Sequence, residues 1–362
     1  MAKQLKTDRI LFGTVILMVF FGVVMVFSAS AVIAERSHGA SYHFLIRQVA
    51  WAVAGLTGMI WLMHRDYQRF RHPAVVFGMV GVVVVALIGV LAVDRTAQTH
   101  RFFRLGPLSL QPSEFAKLAL ILFLAYFLER RSRSVNDPRT LAPAGVVLLA
   151  LAGLVLAGGD LGTAVTLVII AGVVLWVAGL DWRYLAAGAG VALPLAAIAV
   201  WLVPYRMQRI LAFLDPWQDP QGKGFQVIQS MIAVGTGGLT GAGLMGSKQK
   251  LYYLPAPHTD FIYAVISEEW GLIGAALLLA GFCVILWRGA RTALVASDHF
   301  GVYLAAGVTA MLVCQAFINM SVVLDMAPTK GMPLPLISYG GSSLICAMWG
   351  AGVLMSVSQR SG

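Results

Sequence analysis

Ten times along the chain a run of about 20 residues is almost wholly apolar, long enough to cross the hydrocarbon core of a bilayer as a helix. None of these runs alternates with period two, which excludes a strand barrel. Composition agrees: of 362 residues, 59% are hydrophobic and only 12% charged, against about 25% charged in a soluble domain. The expected fold is therefore all-α, a polytopic membrane protein with about ten transmembrane helices. The spans fall near 10–34, 45–63, 74–93, 112–129, 141–157, 162–179, 184–203, 261–286, 300–325 and 335–358. The first run has a basic flank but is too long for the apolar core of a cleavable signal, so it is read as the first span.

Basic residues in short loops set the orientation. Placing the N-terminus inside puts Lys3, Lys6, Arg9, Arg65, Arg69, Arg71, Arg130, Arg131, Arg133, Arg139, Arg183, Arg288, Arg291 and Arg360 on the inner side. Both termini are then cytoplasmic. The segment 204–260 becomes a large extracytoplasmic loop between the seventh and eighth helices. It is too long for a mere connection, and "YRMQRILAFLDPW" and "GFQVIQSMIAV" within it are amphipathic enough to lie on a membrane surface. The net charge of +10 reflects cytoplasmic loops, and no nucleic-acid partner is expected.

Two apparent motifs fail on context. Gly241, Gly243 and Gly246 match a dinucleotide fingerprint, and "GAGLMGSK" approaches a phosphate loop, but both need a strand before and a helix after in a soluble α/β domain. The glycines are expected to permit tight turns and close backbone approach. Cys283, Cys314 and Cys346 all lie in apolar runs and read as core packing. The scattered histidines have no metal-binding spacing.

Ionisable residues inside spans are costly and mark a bundle interior or a watery cavity. Here they are Arg47, Glu114, Lys117, Asp160, Asp260, Glu268, Glu269 and Asp325. Glu114 and Lys117, three apart, share a helix face as an ion pair or as substrate contacts. Asp160 in "GGDLGTA" sits at a helix start, where a carboxylate caps. Arg95, Arg101 and Arg104 lie in the outer loop 94–111, where basic residues are disfavoured; they snorkel, or they bind an anionic headgroup. Asp260 follows Pro255 and Pro257 at the start of the eighth span, as an N-cap or as a surface carboxylate available for chemistry. In a continuous helix Glu268 lies about 12 Å deeper and Glu269 on the opposite face, so the three cannot form one close acid–base pair.

Five stretches in order, "QPSEFAKLALILFLAYFL", "GGDLGTA", "FLDPWQDPQGKGFQVIQSMIAVGTGG", "GSKQKLYYLPAPHTDFIYAVISEEWG" and "PTKGMPLPLISYGGSSL", resemble the SEDS family of cell-wall proteins over nearly the whole chain. Within it the third and fourth look more like the septal member than the elongation member. The resemblance implies a single transmembrane domain over 1–362, with 204–260 carrying the active-site segment. It also implies a peptidoglycan glycosyltransferase of the bacterial inner membrane that polymerises lipid II, with its active site facing outward. Implied partners are a class B penicillin-binding protein, through its one transmembrane helix, and other division proteins. Asp260 matches the family's essential aspartate. Two departures stand out: Ala256 replaces the usual Glu after the proline, and "QTHRFFRLG" lacks the usual Arg-Trp pair.

That activity requires a sugar hydroxyl to attack an anomeric carbon and expel a lipid pyrophosphate. A general base is expected, and Asp260 takes the role. The leaving group is already anionic and needs cations rather than a second acid. Arg101, Arg104 and Lys117 are the candidates, with Glu114, Ser338 and Ser342 as further substrate-binding residues. A divalent cation, Mg2+ or Mn2+, is the alternative source of charge. Arg47, Asp160, His258, Thr259, Glu268 and Glu269 are expected to support the site. A lipid II flippase, with inverted repeats and broken helices, and a non-catalytic scaffold are the rival readings.

Overall fold

A computed structural model describes residues 8–94, 100–105, 108–251 and 253–360. Lys3, Lys6 and Arg95 lie outside the described residues. Among the described residues twelve α-helices follow in order: α1 (Arg9–His38), α2 (His43–His64), α3 (Pro73–Val93), α4 (Pro112–Glu129), α5 (Pro138–Ala157), α6 (Leu161–Val177), α7 (Trp182–Trp201), α8 (Pro204–Leu214), α9 (Phe225–Thr236), α10 (Ile262–Val295), α11 (His299–Val323) and α12 (Gly341–Arg360). Each expected span coincides with one of them. Eight are long and apolar enough to cross a membrane on their own: α1, α2, α3, α5, α7, α10, α11 and α12. The chain is a multi-pass membrane protein. The other two expected spans are α4, with 18 residues and the charges Glu114, Lys117 and Glu129, and α6, with 17 residues.

The helix starts follow local chemistry. The side chains of Asp8, Asp137, Asp181 and Asp298 each accept a backbone N–H in the first turn of α1, α5, α7 and α11. Proline opens α3, α4, α5 and α8, where its missing N–H costs nothing. Helices α4, α11 and α12 are buried along most of their length and form the hub. Helix α7, by contrast, has no buried residue. At the end of the bundle away from Asp260, Arg288 pairs with Asp8 at 2.7 Å and Arg71 with Glu129 at 2.8 Å.

Two expectations need correction, the start of the last span and the place of Asp325, and two outer segments prove to be structured. The loop 94–111 is not all irregular: β1 (Phe103–Leu105) and β2 (Leu108–Leu110) pair antiparallel, with Arg104 opposite Ser109. The long segment 204–260 folds its two amphipathic pieces into α8 and α9. The last helix starts at Gly341 rather than 335, because Leu336, at φ 66°, stands in the left-handed region and cannot continue a helix. Asp325 lies beyond α11 with φ 55°, outside any helix.

The eighth expected span holds the largest departure. Helix α10 runs for 34 residues but is broken at Gly271, whose φ of 63° and ψ of −162° are open only to glycine. A break inside a membrane must have its orphaned backbone groups satisfied. The glycine-rich stretch 238–243 does this. The Leu272 and Ile273 amides donate to the Gly238 and Leu239 carbonyls at 2.9 and 3.2 Å. The Ala242 and Gly243 amides donate to the Glu268 and Glu269 carbonyls, both at 2.9 Å. Gly241 must be glycine here, since a Cβ would lie 2.2 Å from the Glu269 carbonyl oxygen. The false nucleotide fingerprint is thus a backbone plug for a broken helix.

Candidate active site

Asp260 is positioned through its backbone. It stands one residue before the N-cap of α10, which is Phe261 and makes no side-chain capping bond. Its carboxylate is therefore free of the capping role. Three successive carbonyls fix the approach. His258 O accepts from the Tyr339 amide at 2.9 Å. Thr259 O accepts from the Ser338 hydroxyl at 2.6 Å. Asp260 O accepts from the Asn319 side-chain amide at 2.8 Å, and that amide also donates to Met332 O at 2.7 Å. The turn before it is closed by the Thr259 amide and hydroxyl, both donating to Ala256 O at 3.1 Å, with Ala256 at φ 49°. The His258 ring packs 4.6 Å from Phe44 and 5.6 Å from Tyr339. Burial pushes its pKa down to about 4, so it is a neutral wedge rather than a proton carrier.

The Asp260 carboxylate accepts no hydrogen bond among the described residues and faces Gly331, where a Cβ would lie 3.1 Å from Oδ2. Burial pushes its pKa up to about 6, against the opposing pull of the Arg209 and Arg101 guanidiniums, while Asp160 adds to the rise. It lines a cavity of about 400 Å³ together with Trp51, Arg101, Gln111, Arg209 and Ser342. A second cavity of about 290 Å³ shares Arg101, Tyr205, Arg209 and Gly331 with the first, and adds Asp160, Arg206 and Lys330. Beyond it an apolar groove of about 670 Å³ runs between α6, α7 and α8, past Leu161, Trp201 and Ile210.

The cations on these walls are only partly spent. Arg101 donates through Nη2 to Gly159 O, while its buried Nε has no partner among the described residues. Arg209 donates to Thr329 O at 3.3 Å and to the Tyr205 hydroxyl, its guanidinium stacked 4.5 Å from the Tyr205 ring. Arg206 donates to Ala199 O at 2.9 Å, and burial, reinforced by Arg101, lowers its pKa. Burial likewise lowers Lys330. Asp260 and Asp160 are the carboxylates on these walls, and Asp160 is consumed by its neighbours. No group of three His, Cys, Asp or Glu side chains gathers among the described residues. With Asp260 the one unspent carboxylate on these walls, a divalent cation here would be held mainly by water and by the phosphates of a bound substrate.

Several expected site residues lie elsewhere. Lys117 bonds Glu114 at 2.8 Å and Gln315 at 2.5 Å, all three buried and none on the cavity walls. They are a structural pair, not substrate contacts. Ser338 is spent between the Leu334 amide and Thr259 O. Arg104 is exposed on β1 and off both cavities, and Arg47 is half-buried on α2, also off them. Ser342 does reach the cavity, accepting from the Gln111 amide at 2.9 Å. Asp160 caps α6 through the Thr163 amide at 3.0 Å and also accepts from Thr163, Gln111 and Ser113 side chains. Glu268 accepts from the Ser247 hydroxyl and from the Lys248 and Gln249 amides at 2.9 and 3.3 Å. Glu269 bonds Lys250 and Ser28, both at 2.7 Å. Sequence reasoning missed Arg206, Arg209 and Lys330. The first two stand three apart on α8, a spacing that was visible but was read as a membrane-surface face.

Comparison with known proteins gives a consistent answer. Residues 8–362 match the FtsW/RodA/SpoVE family of cell cycle proteins. The chain is 42% identical over 357 residues to a probable peptidoglycan glycosyltransferase FtsW of Geobacter metallireducens, covering 98% of this chain and 95% of that one. It is 39% identical over 361 residues to the stage V sporulation protein E of Bacillus subtilis, covering 99% of each. A solved chain from a peptidoglycan synthase complex that coordinates polymerization and crosslinking superposes with a TM-score of 0.81 at 34% identity, covering 99% of both chains.

Proposed function

The chain belongs to the FtsW/RodA/SpoVE family of cell cycle proteins, and on that premise we propose that it is a septal peptidoglycan glycosyltransferase polymerising lipid II, with Asp260 as its general base. The observation that carries the mechanism is the unpaired Asp260 carboxylate, which shares a cavity with Arg101 and Arg209. The 4-hydroxyl of the acceptor sugar gives its proton to Asp260 as its oxygen bonds the anomeric carbon of the donor. The bond from that carbon to the pyrophosphate oxygen breaks, and the leaving pyrophosphate keeps the electron pair. Arg101 and Arg209 neutralise the charge that develops there. Asp260 then returns its proton to water. A carboxylate whose pKa is about 6 is mostly ionised at neutral pH yet basic enough to be useful, and such a base contributes about 10²–10⁴-fold. The pyrophosphate's polyprenyl tail follows the apolar groove between α6, α7 and α8, which continues from the second cavity through Leu161, Ile210 and Lys330.

In this reading the enzyme sits in the bacterial inner membrane with both termini in the cytoplasm. Asp260 opens outward, and a class B penicillin-binding protein docks through its transmembrane helix alongside other division proteins. The fit to a relative named as a probable FtsW over 95% of its length favours the septal role over elongation. Reconstitution of the purified chain with lipid II, with and without such a partner, tests the proposal by reading glycan chains on a gel. Wild-type yields from a folded Asp260→Asn protein would sink the role of Asp260. No polymer under any condition would sink the activity.

A further inference from the structure

The first cavity ends on the start of α12. Gly341, Ser342 and Ser343 are its first three residues, all buried and all on the cavity wall. The first helical bond closes from the Leu344 amide to Gly340 O at 2.9 Å. The amides of residues 341–343 therefore have no acceptor among the described residues, and Gly340 has no side chain to cap them. The Trp51 indole lies against Gly341, where a Cβ would come within 2.3 Å of the ring, so it flanks this helix end. The Ser342 hydroxyl is already bound, accepting from the Gln111 amide and donating to Ser109 O. The Ser343 hydroxyl is not. Ser343 is only 6% exposed as a residue and lines the cavity, and its hydroxyl has no hydrogen-bond partner among the described residues.

A buried helix start with free amides, its positive dipole end and an unspent hydroxyl together make an anion site. The cavity contains a single carboxylate, Asp260, and two cations, Arg101 and Arg209. Those cations stand on the wall shared with the second cavity, whereas Gly341–Ser343 stand on the first cavity alone. Joining two lipid-linked sugars involves two pyrophosphates, and their needs differ. The one expelled gains charge in the transition state and is served by full cations beside the base. The acceptor's own pyrophosphate stays attached and its charge does not change, so neutral amides and a hydroxyl suffice to hold it in place.

We propose that the N-terminus of α12, with the Ser343 hydroxyl, binds the retained pyrophosphate of the acceptor and so holds that substrate in the cavity that Asp260 lines. This assignment rests on the glycosyltransferase reading for the identity of the ligand, but the anion site itself does not.

The test separates the two. Inorganic pyrophosphate and undecaprenyl pyrophosphate are titrated into the full chain in nanodiscs, in an Asp260→Asn background where turnover cannot interfere. Loss of one hydrogen bond to a charged group predicts about tenfold weaker binding for Ser343→Ala. Ser343→Asp adds a like charge and should weaken binding about a hundredfold, while its melting temperature holds or rises because an acid suits a helix start. Ser343→Thr keeps the hydroxyl and should bind as the parent does. In the Asp260 enzyme with lipid II, Ser343→Ala should raise KM and leave kcat in place, the pattern of uniform binding. Binding of either probe by Ser343→Asp at parental strength overturns the anion site. Weakened binding of inorganic pyrophosphate, with kcat falling instead of KM rising, overturns the acceptor assignment. If Ser343→Asp does not fold, Ser343→Ala decides: parental binding with a lowered melting temperature means a helix cap and nothing more. Absence of polymer from the wild type would refute the enzymatic reading while the titrations still judge the anion site.

Discussion

The Lys250 ammonium lies 2.7 Å from the Glu269 carboxylate, with 3% and 0% of the two side chains exposed, and both touch the Ser28 hydroxyl. A loop, the middle of α10 and α1 meet at this one pair. Removing one charge strands the other out of water. Glu269→Gln should therefore destabilise the protein by about 3–5 kcal/mol. The double change Lys250→Met with Glu269→Leu should recover much of that loss, because no lone charge remains. Thermal unfolding followed in detergent separates the two; equal damage from the single and double changes would show that the pair is not the source.

Asp260→Asn should abolish glycan synthesis and at the same time raise stability at neutral pH. The folded carboxylate has its pKa raised from 3.8 to about 6. Its ionised form thus opposes folding above the unfolded value, and that penalty fades as pH falls through about 6 toward 4. At pH 7 the amide should gain about 1–3 kcal/mol over the carboxylate. Melting curves of both proteins at pH 7.5 and pH 4.5 check the sign: the gap should close at the lower pH.

The rate of polymerisation by the wild type should climb with pH up to about 6 and then level, as the base ionises. Arg209 pulls the Asp260 pKa down. Arg209→Met should move the acid limb of the profile to higher pH, as well as lowering the plateau through loss of charge on the leaving group. A lowered plateau with an unmoved limb would confine Arg209 to the leaving group.

Gly271→Ala should be poorly tolerated. Its φ of 63° disfavours any Cβ, and that Cβ would fall 2.5 Å from the Gly241 nitrogen and the Leu239 carbonyl oxygen. Backbone strain alone costs about 1–3 kcal/mol, and displacing the plug would free four backbone hydrogen bonds. Faster hydrogen exchange at Ala242, Gly243, Leu272 and Ile273 is the readout, and unchanged protection there would show that the break does not depend on the loop.

Much of this was legible in the sequence, for reasons that differ by residue. Apolar length alone placed a helix at each of the ten expected spans, eight of them long and apolar enough to cross a membrane, because such runs in a bilayer satisfy their own backbone as helices. Asp160 reads as a cap from its place before "LGTA", whereas the spacing of three between Glu114 and Lys117 allows an ion pair without deciding between it and the substrate contacts also expected of them. What sequence could not carry was contact between distant segments. Nothing near Asp260 indicates that the carbonyls of 258–260 are each held by a group between 319 and 339, or that Arg209 bears on the carboxylate. Helical wheels also assume continuity, which Gly271 breaks, and an amphipathic face such as that of α8 looks the same whether it meets lipid headgroups or a cavity.

The broken helix has a consequence for the order of manufacture. Ser28, the plug at 238–243, Ser247 and Lys250 all precede Glu268 and Glu269 in the chain. Synthesis runs from the N-terminus, so every group that neutralises these two carboxylates, or fills the gap at Gly271, has already been made when α10 emerges. The acidic half of α10 is released into a nascent bundle whose complementary half is waiting for it.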